Sequence, residues 1–143
     1  MLSPRKVCWL LLLSSCISLV DATAADLTVI VRGVPSARGH VLCAVYPDAQ
    51  HFLKQTADSE RMRVAAKRGD VQFVFHGLAP GRYAVTAFHD ANDNGRVDLN
   101  SNGVPTELVG FSNDARGIGG PPSFQQASFE LPPGGKTLTL YLE

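Results

Sequence analysis

Hydrophobic and polar residues alternate with a period of two over most of the chain that follows residue 25. Such alternation places one face of a β-strand in a core and the other in solvent. In the first such segment Leu27, Val29 and Val31 share a face. Seven segments show this pattern, and each predicts a strand: 26–33, 40–47, 61–67, 70–77, 82–90, 123–132 and 137–143.

Proline and glycine separate the predicted strands. Tight turns are predicted at 78–82 (LAPGR) and 132–136 (PPGGK). One segment breaks the alternation, and there Asp48 followed by Phe52 and Leu53 predicts a short helix with an aspartate cap. The pattern therefore predicts an all-β protein, an antiparallel β-sandwich of about seven strands of immunoglobulin or prealbumin type, with one short helix.

A long connection rich in Asp, Asn and Gly runs from Ala91 to Pro122. Loops of this length without strands of their own are uncommon and are usually functional or disordered. Disorder of 113–122 is one alternative. Against it, the loop contains apolar residues that we expect to be buried, namely Val97, Leu99, Val104, Leu108, Val109 and Phe111.

The first residues have the order of a secretory signal peptide: basic residues, the apolar run 7–20, and then small residues. Cleavage is predicted after Ala24 or just after Ala25. A membrane anchor is the alternative, but the run is shorter than the ~20 residues that span a bilayer. A second alternative is lipidation of Cys16 in a lipobox-like sequence. We therefore expect an exported protein, periplasmic or extracellular.

Removal of residues 1–25 from the 143 of the chain leaves 118, which is one ordinary domain, 26–143. We expect no membrane span in this mature part, because it has no second long apolar run. Thirteen basic and thirteen acidic residues balance, so a nucleic-acid partner is not expected. Cys43 alternates with Val41 and Val45, which indicates a buried small side chain and no disulfide.

Oxygen-bearing side chains follow the fifth predicted strand at the spacing of a calcium loop. Gly95 stands at the sixth position, where such loops turn sharply. Position twelve is Ser101 and not the usual Glu, so we expect Glu107 to supply the closing carboxylate. The other predicted ligands are the side chains of Asp90, Asn92, Asn94 and Asp98 and the carbonyl of Arg96. The predicted cofactor is calcium, bound with a Kd of order 10⁻⁴–10⁻³ M; the alternative is a polar turn without an ion.

Three functional hypotheses follow. The first is a non-enzymatic envelope or secreted protein whose calcium-ordered loop serves adhesion or the binding of an unidentified envelope or extracellular ligand. The second is a carbohydrate- or small-ligand-binding module that uses Phe111, Arg116 and Phe124 in the glycine-rich stretch. The third is a hydrolase using His89 and Asp90. We expect no enzyme, because no nucleophile motif accompanies the pair and strand parity places His89 towards the core.

The same residues carry a family resemblance. The sequence H-D-x-N-x-N-G-x-x-D at 89–98, followed by G-x-P-x-E at 103–107 and GFSN at 110–113, resembles the bacterial secreted family called domain of unknown function 2141. The resemblance covers the chain from Leu27 onwards and implies its fold and compartment, but no activity. The L-x-P-G-x-Y-x-V pattern at 78–85 is also similar to prealbumin-like (Cna-B-like) sandwiches of surface proteins, which implies by analogy a sandwich and a bound cation.

Overall fold

The structure, a computed structural model, describes residues 23–143. The predicted signal segment up to Ala22 and the candidate lipidation site Cys16 lie outside the described residues. Within the described part, no helix has both the length and the apolar character needed to cross a bilayer.

Residues 23–143 contain eight strands, which form two sheets, together with one short helix and one 3₁₀ turn; this confirms the predicted all-β sandwich. The helix α1 spans Phe124–Ala127 and the 3₁₀ turn spans Ser112–Asp114. The strands are β1 (Ala25–Val34), β2 (His40–Tyr46), β3 (Glu60–Ala65), β4 (Gly69–Leu78), β5 (Gly81–Asp90), β6 (Val109–Phe111), β7 (Phe129–Leu131) and β8 (Lys136–Tyr141).

The smaller sheet has the strand order β4-β1-β8. Its central residue Val29 pairs with Phe73 of β4 on one side and with Leu138 of β8 on the other. The β1–β8 pair is parallel, in contrast to the wholly antiparallel sandwich that the alternation predicts. The chain arrives at β8 from the other sheet through the turn at 132–135, and it enters beside β1 in the same direction.

The larger sheet has the order β3-β2-β5-β6, and β7 also pairs with β5. β6 and β7 pair with different segments of β5, residues 86–88 and 81–83. One row of paired residues crosses four strands of this sheet, from Arg63 through Leu42 and Phe88 to Val109. The long connection therefore contributes a strand of its own, which the period-two pattern did not identify.

The core lies between the two sheets and is built from the alternate side chains that the pattern predicts. Leu27, Val29 and Val31 of β1 are fully buried against β4 and β5. Cys43 lies in the same core, and its burial raises the pKa of the thiol far above its ordinary value. Val109 of β6 and residue 143, which follows β8, exchange two backbone hydrogen bonds, and these link the two sheets.

Two local predictions were wrong. Asp48 does accept a hydrogen bond from the backbone N–H of His51 (2.9 Å), but the chain forms a turn and not a helix. Leu53 ends the turn with a positive φ of 62°. The helix occurs instead at the start of the predicted strand 123–132. There Ser123 and Gln126 form a capping box, in which each side chain bonds the other residue's backbone N–H.

A second apolar cluster lies on the outer face of the larger sheet. It covers the end of that sheet where β5 begins, and Phe52 is at its centre with edge-to-face contacts to two rings. Ser112 connects β5 to α1, because its buried hydroxyl accepts from Val85 N (2.9 Å) and donates to Ala127 O (2.5 Å). The cluster consists of Tyr46, Phe52, Ala84, Phe124 and Ala127.

Gly39 allows the turn before β2 to lie against the end of β5. Its φ is +67°, and a Cβ there would lie 2.0 Å from the carbonyl oxygen of Asp90. We expect Gly39→Ala to lower the free energy of unfolding by about 1–2 kcal/mol for the positive φ and by about 1–3 kcal/mol more for the clash. Denaturant titration measures this change.

Gly77→Ala is the matched control. Gly77 has a φ of +73°, but a Cβ there meets nothing within 4 Å. Gly77→Ala should therefore lower the free energy of unfolding only by the cost of the positive φ, without the added cost of a clash. Equal destabilisation by the two substitutions would contradict the close approach of Gly39 to the end of β5.

Candidate functional site

The site begins where β5 ends, and strand alternation decides how its first two side chains point. His89 turns into the sandwich, is 4% exposed, and donates from Nε2 to the carbonyl oxygen of Arg38 (2.7 Å). Asp90 turns to the outer face of the sheet. The two side chains leave the strand on opposite faces, so they do not form the acid–base pair that the hydrolase hypothesis needs.

Asp90 has a carboxylate with 0% exposure. Its Oδ1 accepts from Asn94 N (3.1 Å) and its Oδ2 accepts from Gly95 N (2.8 Å). Among residues 23–143, no Lys, Arg or His side chain forms an ion pair with it. The loop that follows therefore wraps its backbone around a buried negative charge.

Asp98 lies opposite two amide side chains of the same loop. Asn92 Nδ2 donates to Oδ2 (2.5 Å) and Asn94 Nδ2 donates to Oδ1 (2.7 Å). The amide of Asn92, and then that of Asn94, hold the pKa of Asp98 below its ordinary value. Three of the predicted ligands therefore share one hydrogen-bonded group.

Glu107 returns to this group through a small hairpin, in which Leu99 and Pro105 form an isolated β-bridge. Its Oε1 accepts from Ala91 N (3.2 Å) and its Oε2 accepts from Asp98 N (3.2 Å). Residues 90–107, which we name the acidic loop, are thus closed at both ends by carboxylates. The role of Glu107 as the closing ligand of an ion stays a prediction.

The sixth predicted ligand, Arg96, is exposed, and its backbone N–H donates to Asn94 Oδ1 (3.0 Å). Across the described range 23–143, no three side chains of His, Cys, Asp or Glu lie close enough together to hold a metal ion. An ion in the acidic loop would therefore depend on amide and carbonyl oxygens as well as on carboxylates.

Asp93 joins the acidic loop to the edge of the larger sheet. Its Oδ1 contacts Arg63 Nη2 (2.7 Å) and His40 Nδ1 (2.5 Å). Arg63 first, and then His40, hold the pKa of the Asp93 carboxyl below its ordinary value of 3.8. Nothing in the loop spacing assigned this residue a partner, because Arg63 lies 30 positions away on β3.

The expected burial of the loop's apolar residues is only partly correct. Leu108 packs against the main core, and Val109 and Phe111 belong to β6. Leu99 and Val104, in contrast, are 59% and 54% exposed. The small hairpin projects from the sheet, so these two side chains border a groove instead of entering the core.

This groove, which we name the outer groove, has a volume of about 1190 Å³ and lies on the outer face of the larger sheet. Its floor continues the second apolar cluster towards the acidic loop. The acidic loop and the segment 115–122 contribute its walls. The floor residues, which come from β2, β5 and β6, are Leu42, Ala44, Thr86, Phe88, Val109 and Phe111.

The three residues predicted to bind a ligand are separated. Phe111 lines the groove, and Arg116 lies at its rim, where it pairs with Glu143. Phe124 is 8% exposed and packs edge-on against Phe52 (centroids 5.9 Å apart), so it is a core residue. Sequence analysis missed the floor, although Leu42 and Phe88 are apolar at positions that alternation assigns to solvent.

These features define a class, a two-sheet β-sandwich with an Asp/Asn-rich loop at the end of a central strand and a groove beside it. The chain belongs to the family domain of unknown function 2141, described as an uncharacterized protein conserved in bacteria, whose model matches residues 29–139. Comparison with curated proteins and with solved structures gave no significant match. The family resemblance stated from the sequence is therefore confirmed.

A pH dependence follows from Asp93. A depressed folded-state pKa means that its pairing stabilises the protein in full above about pH 5 and loses this effect as pH falls below about pH 4. Asp93→Asn, which also suits the φ of 63°, removes the titration. We expect the melting temperature of wild type to be higher than that of Asp93→Asn near neutral pH. We expect this difference in melting temperature to disappear in acid.

Asp114→Asn is the control, because Asp114 also has a positive φ (47°) and makes no ion pair among the described residues. Its melting temperature should follow wild type at every pH. A gap between wild type and Asp93→Asn that stays constant into acid would contradict the role of the ionised carboxylate.

Proposed function

We propose that this is an exported, non-enzymatic sandwich whose acidic loop is ordered by calcium and serves a binding or envelope-structural role. The observation that carries the proposal is Asp90, a fully buried carboxylate without a cationic partner among residues 23–143. A buried charge is costly to leave unpaired, and its two backbone hydrogen bonds offset that cost only in part. A divalent ion in the loop would offset the rest.

The charges around Asp90 support this choice. Asp98 and Glu107 both contact the segment 91–98 that folds around Asp90. The nearest basic group to Asp98 is the exposed guanidinium of Arg96, at 4.0 Å. The carboxylates of Asp90, Asp98 and Glu107 outnumber this one basic group, so this part of the loop has a net negative charge. Calcium prefers such oxygen-rich, flexible loops.

The amides provide a route from the hydrogen-bonded loop to a metal-binding one. A half-turn of each carboxamide exchanges its nitrogen and oxygen, so Asn92 and Asn94 would then direct oxygens towards the carboxylate of Asp98. That arrangement repels unless a cation lies between the groups. The half-turn also gives up the bonds in which both amide oxygens accept backbone N–H groups. We therefore expect weak binding, with a Kd of order 10⁻⁴–10⁻³ M.

Thermal unfolding with calcium and with chelator tests the proposal. At ~10 mM calcium, such a Kd stabilises the native state by about 1.4–2.7 kcal/mol, which raises the melting temperature. Asp98→Asn and Glu107→Gln should each abolish most of this rise, because each removes a negative charge from the loop but retains an oxygen acceptor.

Glu130→Gln is the matched control, since Glu130 is an exposed glutamate on β7 far along the chain from the loop. It should keep the full calcium response. An unchanged melting temperature of the wild-type protein at ~10 mM calcium would refute the ion site. Equal responses to magnesium and calcium would refute selectivity for calcium.

The outer groove favours a second candidate function, a small-ligand-binding module. Phe111 and Arg116, both predicted from sequence as ligand contacts, border one recess. Its volume slightly exceeds the ~300–1,000 Å³ of usual ligand sites. This function needs no calcium, although both functions use the acidic loop.

Export yields a prediction about the mature N terminus. Ala25 is buried in β1 and pairs with Leu78. Cleavage after Ala24 preserves this pair, whereas cleavage after Ala25 removes it. We expect the intact mass of the exported protein to correspond to a chain that begins at Ala25. A mass that includes a diacylglyceryl group on Cys16 would contradict this and identify a lipoprotein.

A further inference from the structure

We propose that the outer groove binds a single-chain amphiphile with an anionic carboxylate head, its chain on the sheet floor and its head beside Arg61. This inference specifies the ligand class for the second candidate function and rests on it. It does not require the calcium site.

The floor is apolar where a sandwich normally presents polar side chains. Leu42, Phe88 and Val109 are adjacent in one row of the sheet, and Ala44, Thr86 and Phe111 form the next row. Five of these six residues are apolar, and all five are only partly buried. A contiguous apolar surface of this kind marks a place where another apolar body binds. The aliphatic residues favour a hydrocarbon chain.

Two arginines border this floor on the edge strand β3. Arg61 pairs in register with Ala44, and Arg63 pairs with Leu42, so both side chains lie on the outer face. The guanidinium of Arg63 is occupied by Asp93. That of Arg61 donates to the backbone carbonyl of Lys54 (2.8 Å) and forms no ion pair with a carboxylate in the described chain. Arg61 therefore retains donors for an anionic head, in the forked geometry that suits a carboxylate.

The recess is long enough to hold an extended chain. Three spacings of ~4.8 Å separate β3 from β6, so the floor measures on the order of 14 Å from the arginine edge across the sheet. The exposed side chains of Leu99, Val104 and Tyr141 also line the groove and extend its apolar border. Of the other two basic residues that line the groove, Arg116 is paired with Glu143, and Arg96 lies 4.0 Å from the carboxylate of Asp98. The polarity of the groove thus matches one anionic end and one apolar end.

Isothermal titration of the mature protein with dodecanoate, below its critical micelle concentration and in EDTA, tests the proposal. We expect one molecule to bind per chain, about tenfold more tightly than dodecanol, and we expect no binding of dodecyltrimethylammonium. Arg61→Gln should reduce dodecanoate affinity about tenfold and leave dodecanol affinity unchanged, since it removes only the charged contact. Phe88→Gln should weaken both ligands.

Arg32→Gln is the matched control, because Arg32 is a partly exposed strand arginine on the other sheet, where it pairs with Asp70. It should bind dodecanoate like wild type. Absence of dodecanoate binding overturns the proposal, as does equal affinity for dodecanol or loss of affinity in Arg32→Gln. If dodecanoate does not bind but calcium still raises the melting temperature, only the groove inference is wrong. If dodecanoate binds in EDTA and calcium has no effect, the ion site alone is wrong.

Discussion

The need to satisfy one buried carboxylate organises the end of the larger sheet where β5 ends. Asp90 ends the central strand β5 with no solvent exposure, and a buried charge of this kind requires hydrogen-bond donors. The following residues supply them through the backbone N–H groups of Asn94 and Gly95. In the same turn, the carboxylate of Glu107 accepts hydrogen bonds from the backbone N–H groups of Ala91 and Asp98. The acidic loop is thus a consequence of where a single strand ends.

The outer face of the larger sheet is divided into a covered part and an open part. At the start of β5, Phe52 and Phe124 cover Tyr46 and Ala84 with an aromatic cluster. At the other end the acidic loop covers Asp90. Between them the floor of the outer groove remains open, because α1 is only four residues long. The groove is therefore the gap between two coverings of one apolar sheet face.

Sequence analysis predicted the sandwich because alternation depends only on local side-chain direction. The same alternation predicted that His89 points inward, and His89 is indeed buried. It failed where partners are distant: β6 has three residues and is held by β5 and the C-terminal residue, and no periodicity reveals so short a strand. For the loop, the spacing grouped Asp90, Asn92, Asn94 and Asp98, which hydrogen bonds do bring together, while the ion that they would hold stays a prediction. It could not show that Leu99 would be exposed, because that depends on how the hairpin leaves the sheet.

The acidic loop and the outer groove are not independent parts of the molecule. Residues 95–97, 99 and 102–107 belong to the loop and also line the groove, so any change in the loop's order alters one wall of the recess. If an ion and a ligand both bind, each must change the affinity for the other by the same factor, since linkage is reciprocal. Asp93 extends this connection to β3, where it holds Arg63 beside the floor. The arginine edge of the groove and the end of β5 at Asp90 are therefore joined through one loop, and the order of that loop affects both.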